Sequence, residues 1–139
     1  MNATTCTPST FLQALAQSSP VPVQAYDRPL VRMENVVEYL GDDPDVQRQV
    51  FQMCLDLIKT SLPRLRKAVD VGDLQTLQRL AHHARGSLGM LGLPMLRELG
   101  EEIEYRYDDL GAERWRARCE ELYDLLLELH HELQERLAA

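Results

Sequence analysis

The stretch Ala81-His82-His83-Ala84-Arg85-Gly86-Ser87 puts an imidazole beside an arginine and a glycine. What these groups can do depends on where they point. Leu74, Leu77, Ala81, Ala84, Leu88 and Leu91 recur three or four apart, which predicts a helix with one buried stripe. A helix turns about 100° per residue, so His82 lies roughly 140° from the stripe's centre and Gly86 almost opposite it. Gln75 and Arg79 share this outer face, Gly89 lies nearby and Arg85 borders the stripe. An outward imidazole with no Ser or Cys to activate and no second ligand at i+4 has one strong chemical use. Its neutral form is a nucleophile that can accept a phosphoryl group and release it again. Arg85, close by on the same helix, could donate to phosphoryl oxygens; the alternative is a surface arginine resting its stem on the bundle.

An exposed glycine inside a helix costs about 1 kcal/mol relative to alanine. Two readings fit Gly86 and Gly89. They relieve crowding against a neighbouring helix, or they bare the surface so that another macromolecule can approach the ring. The position of Gly86 opposite the core favours the second. His83 lies on the other flank, where the bare strip serves it less well. Gln75, Gln78, Arg79, Gly86 and Gly89 are therefore the candidate docking residues.

A site of this kind needs rigid helices beneath it, and the sequence supplies them. A short first helix carries Met33, Val36, Val37 and Leu40. Gly41-Asp42-Asp43-Pro44 stops it and starts a second, with Asp43 as N-cap and Pro44 at the first helical position. Val46, Val50, Cys54, Leu57, Ser61, Leu65 and Ala68 or Val69 form its expected stripe, with a bend at Pro63. Gly72-Asp73 opens the third helix and Gly92-Leu93-Pro94 ends it. The fourth carries Leu96, Leu99, Ile103 and Tyr107, and breaks at Asp108, Asp109 and Gly111. The fifth carries Trp115, Cys119, Leu122, Leu126, Leu129, Leu133 and Leu137. No alternating β-branched run reads as a strand. The expected fold is all-α, an antiparallel up-and-down four-helix bundle over residues 32–139 with a short additional N-terminal helix. Residues 1–31, which hold Pro8, Pro20, Pro22 and Pro29, read as a polar tail. Within the tail, Phe11 to Gln17 could form a short helix capped by Thr10.

Composition narrows the function. The 139 residues suit one domain, and the net charge of −7 disfavours nucleic acid or anionic membranes as partners. No apolar run approaches the roughly 20 residues of a membrane span and no secretory pattern opens the chain, so a cytoplasmic location is expected. Cys6, Cys54 and Cys119 are widely spaced, without the paired spacing of a disulfide framework or thiolate metal site. His130-His131 point about 100° apart on a helix and read as surface residues, so no metal site is expected. Charge is unevenly spread. Residues 64–97 hold six basic residues against two acidic ones, whereas 98–139 hold five against thirteen. The basic block surrounds His82 and would suit a phosphoryl group and a partner with an acidic cleft.

Ala81-His82-x-Ala84-Arg85-Gly86-Ser87, followed by Leu91-Gly92, resembles the A-H-x-L-K-G-S-x-x-x-L-G signature of histidine-containing phosphotransfer domains. Leu96-x-x-Leu99-x-x-x-Ile103-Glu104 is similar to the family's L-x-x-L-C-x-x-L-E. Gly41-Asp42-Asp43-Pro44, the Leu/Arg-rich second helix and Gly72-Asp73 also fit, so the resemblance covers about residues 32–135. It implies a four-helix bundle with an exposed phosphohistidine at His82 rather than His83. It also implies a phosphoryl-stabilising basic residue at Arg85 and, at Glu104, a carboxylate that orients the imidazole. A carboxylate holding Nδ1–H would leave Nε2 as the nucleophile. Three departures stand out: Ala84 for a larger apolar residue, Arg85 for lysine, and Gly100 for cysteine or alanine, the last expected to loosen the fourth helix slightly.

The function the resemblance implies is a phosphoryl carrier of a two-component phosphorelay, not an enzyme. His82 would accept from a receiver-domain aspartate and pass the group to another receiver. Its partners would be receiver domains of response regulators or of hybrid sensor histidine kinases. The chain would need no cofactor of its own, since magnesium is expected on the receiver, and a monomer is the expected state. The absence of a phosphate-binding loop or kinase motif argues against ATP hydrolysis. The alternative is a non-catalytic helical adaptor that binds receiver or kinase domains without phosphotransfer.

Overall fold

Residues 26–139 are described by a computed structural model. The helices are α1 (Met33–Leu40), α2 (Pro44–Val71), α3 (Leu74–Leu88), α4 (Pro94–Tyr105), the single turn α5 (Tyr107–Leu110) and α6 (Ala112–Ala138), with a 3₁₀ turn at Gly89–Leu91. None of the described residues lies in a strand. The four long helices close a ring of contacts: α2 packs on α3 and α6, and α4 packs on the same two. The α1 helix rests mainly against the 3₁₀ turn. The chain is a helical bundle, and the expected helix at residues 11–17 lies outside the described residues.

The boundaries follow from local chemistry. The Asp43 carboxylate accepts from the Asp45 N–H at 2.9 Å, with Pro44 opening α2. Gly72 then closes that helix in the left-handed conformation, φ +70°. Asp73 caps α3 by accepting from the Thr76 N–H at 3.2 Å and its hydroxyl at 2.7 Å, and such a cap contributes about 1 kcal/mol. Gly92 is needed twice over. Its φ is +74°, and a Cβ there would stand 2.8 Å from Cγ of Asn35. Its bareness lets α1 close onto the end of the α3 segment, where the Arg32 N–H donates to the Leu91 carbonyl at 2.8 Å.

Several details differ from the sequence expectation. The buried row of α2 is Phe51, Cys54, Ile58, Leu62, Leu65, Ala68 and Val69, whereas Val46 is exposed and Val50, Leu57 and Ser61 are only partly covered. The row is turned by one residue toward the bulkier side chains, because Phe51, Ile58 and Leu62 remove more apolar surface from water than Val50, Leu57 and Ser61. Pro63 lies inside α2, which continues to Val71. Val37 of α1 is exposed. Tyr107 does not extend α4 but opens α5, after a break at Arg106, and its ring meets Trp115 edge-on at 5.2 Å. Leu91 and Gly89 fall in the 3₁₀ turn rather than in α3.

The C-terminal helix departs furthest. His130, expected at the surface, is 4% exposed, and Glu128 and Glu132 are buried as well. Burial holds the His130 imidazole below its ordinary pKa, helped by nearby His131 and Lys59. Glu132 faces the chain entering α1. Its two carboxylate oxygens accept from the Leu30 and Val31 N–H groups at 2.7 Å each. Leu30 and Val31 are themselves buried, so these residues of the expected tail belong to the core.

Candidate functional site

His82 projects from the middle of α3 with its side chain 65% exposed. Its Nδ1 lies 2.8 Å from Oε1 of Glu104 on α4. The Glu104 side chain is only 9% exposed, and its Oε2 accepts from Nη2 of Arg85 at 2.6 Å. One carboxylate thus bridges the imidazole and the guanidinium. A carboxylate accepts, so Nδ1 carries the ring proton and Nε2 keeps the lone pair.

The position of Glu104 is set from below and from both sides. Its neighbour Ile103 is fully buried, and the Ile103 carbonyl accepts from the Trp115 indole at 2.9 Å. The Gln78 amide donates to the Glu104 carbonyl at 3.3 Å. These bonds tie the last turn of α4 to α6 and α3, so the carboxylate stands on rigid elements. Gln78, expected on the docking face, is half-buried and braces the site instead. Trp115 was legible only as core; its indole N–H makes it a brace too, since a buried Trp needs an acceptor.

Arg85 lies against α4. Its Nη2 bonds Glu104, Nη1 lies 3.7 Å from Glu101, and the guanidinium carbon sits 5.8 Å from the Tyr105 ring centre. The guanidinium is engaged on α4 rather than extended toward solvent beside His82. Gln75 and Arg79 are exposed, as is His83, whose ring meets that of His82 at 6.1 Å between centres.

The crowding reading of the two glycines fails. A Cβ added at Gly86 or Gly89 would meet nothing within 4 Å, and neither has a left-handed backbone. No neighbouring helix requires them. Gly86 leaves open backbone one turn beyond His82, and Gly89 continues it to the helix end. Both line an open groove of about 660 Å³ whose walls include Arg32, Tyr39, Met90 and Arg97. Gly86→Gln fills part of this space with a flexible side chain. Any phosphoryl transfer to His82 should fall about tenfold to a hundredfold, the scale of a 1 Å misplacement. Thermal stability should stay equal or rise, because glutamine is the better helix former. A less stable variant with normal transfer would refute this use of the glycine.

The bundle thus offers one carboxylate-held imidazole to solvent, beside open helix backbone. Comparison with protein-family models gives a match to the Hpt domain over residues 49–139, well over half of the chain. The chain belongs to the Hpt domain family, and so to the histidine phosphotransfer domains of two-component phosphorelays. No curated protein and no solved structure gives a match. Among the described residues no helix is long and apolar enough to cross a membrane, and no group of three or more His, Cys, Asp or Glu is placed to hold a metal ion.

Proposed function

We propose that His82 is the phosphoryl carrier, accepting from the phospho-aspartate of one receiver domain and donating to the aspartate of another. The observation that carries this reading is the 2.8 Å contact between Nδ1 of exposed His82 and the largely covered carboxylate of Glu104. In the forward step the Nε2 lone pair attacks phosphorus, the N–P bond forms and the acyl P–O bond breaks. The partner's aspartate leaves as a carboxylate. The ring keeps its Nδ1 proton and gains positive charge, which Glu104 offsets at hydrogen-bond distance. Transfer to the second receiver is the reverse. Glu104 fixes the tautomer, Arg85 holds Glu104, and Gln75, Arg79, Gly86 and Gly89 form the approach surface. The receiver supplies the acidic pocket and its magnesium; this chain supplies the nucleophile, as a monomer with no cofactor of its own.

The test is to incubate the protein with a receiver domain carrying labelled phosphoryl groups. Acid-labile, base-stable label is expected on this chain, with peptide mapping at neutral pH placing it on His82. Stable binding of the receiver without any label would favour the adaptor reading instead.

A further inference from the structure

Gly100 lies on the buried face of α4, in a backbone conformation open to any residue. Alanine would serve the helix better. The reason for glycine is across the interface. A Cβ at position 100 would stand 3.1 Å from Cδ and 3.3 Å from Cβ of Arg85, and 3.6 Å from the Ala81 carbonyl oxygen. Arg85 runs across the bare backbone of α4, and that route delivers Nη2 to Glu104 at 2.6 Å. Glu104 in turn meets Nδ1 of His82. Two of the three departures from the resembled signature, arginine for lysine and glycine for cysteine or alanine, therefore lie against each other.

We infer that Gly100 is a positioning residue for His82, acting through Arg85 and Glu104; its consequence for transfer rests on the carrier reading above. An added methyl group meets two atoms that respond differently. Cβ of Arg85 is fixed by the α3 backbone and moves only if the helices separate. Cδ must give by a few tenths of an ångström, which draws the guanidinium back from its 2.6 Å contact with Glu104. With that contact strained, Glu104 is held less firmly against Nδ1–H and the ring samples its other tautomer. Lysine at position 85 keeps the Cβ contact but escapes the conflict along the stem. Its ammonium donates from a single point on a flexible stem, so the stem can bend around a methyl group.

Gly100→Ala is made alone and in the Arg85→Lys background. Two measurements are taken: ring ¹⁵N shifts of His82 in the free protein, and the rate of labelling by a phosphorylated receiver. In the Arg85 background the shifts should move toward a tautomer mixture and transfer should slow about fivefold to tenfold. Cooperative unfolding should be retained. In the Arg85→Lys background the added methyl should change both readouts by less than about twofold, the non-additivity expected of directly coupled residues. Unchanged shifts in the single variant would overturn the proposal. So would equal effects in both backgrounds, which would make Gly100 a packing position only. If the unmodified protein accepts no phosphoryl group, the carrier reading fails on its own, and the ring shifts still decide the role of Gly100.

Discussion

His82→Ala removes phosphoryl acceptance by at least about a thousandfold, a loss of about 4 kcal/mol in transition-state stabilisation. The nucleophile is gone, and the nearest replacement is badly placed. His83 is also exposed, with its ring centre 6.1 Å from that of His82. Among the described residues no carboxylate pairs with the His83 ring, whereas Glu104 pairs with His82. The bare backbone at Gly86 also lies one turn from His82. His83→Ala should accordingly keep labelling within about twofold of the unsubstituted protein, since the reacting group and its orienting carboxylate are untouched. The fold should survive the His82 change. The imidazole is mostly solvent-exposed, and Glu104 retains Arg85 at 2.6 Å. A stability change below about 1 kcal/mol is expected, the usual range for surface positions. Quantifying acid-labile label on both variants against one phosphorylated receiver decides the matter. More than a tenth of normal labelling in His82→Ala would refute the assignment.

The features legible in the sequence are those that local periodicity and capping specify. Asp43-Pro44 and Asp73 start α2 and α3 where their chemistry requires, and the stripe of α3 points His82 outward. Because the apolar residues of α3 fall on one face, its opposite side was readable, and Gly86 stands out as a cost with no local gain. The α2 helix was harder. Its apolar residues form two adjacent rows, and spacing alone fits either. Side-chain volume distinguishes them: Phe51, Ile58 and Leu62 outweigh Val50, Leu57 and Ser61. The Glu104–His82 contact was legible only through family resemblance, because the two residues lie on different helices and no helical period relates them. Engagement of Arg85 by Glu104 was not legible at all. It depends on the absence of a side chain at Gly100, a relation visible only once α3 and α4 are packed. His130 was misread, and the burial of Glu128 and Glu132 not foreseen, for a related reason. Polar residues on a long terminal helix read as solvent-facing unless the chain packed against them is known, and for Glu132 that chain comes from about a hundred residues earlier.

That segment carries a large expected effect on stability. Glu132 is 5% exposed and accepts two backbone bonds of 2.7 Å, from Leu30 and Val31. Two arginines stand close: Nη1 of Arg28 at 3.8 Å and Nε of Arg136 at 3.5 Å. Arg28 also reaches Glu128 at 2.6 Å and Glu135 at 3.3 Å, so it crosses the end of α6 as a clasp. Glu132→Ala leaves two buried N–H groups without acceptors and two guanidiniums short of a counter-charge. Unmet buried donors cost about 1–3 kcal/mol each, and the longer contacts to the partly exposed arginines add at most about 1 kcal/mol. A loss of about 4 kcal/mol follows, a large share of the 5–15 kcal/mol typical of whole domains. Glu132→Gln should lose less, since its one carbonyl oxygen can still serve one of the two N–H groups. Denaturant unfolding measures the sizes, and amide exchange supplies the location. Leu30 and Val31 should lose protection first, while the Trp115-braced end of α4 keeps its own. A loss below about 1 kcal/mol in Glu132→Ala would mean that residues 26–31 are held by the apolar contacts of Leu30 and Val31, not by this carboxylate.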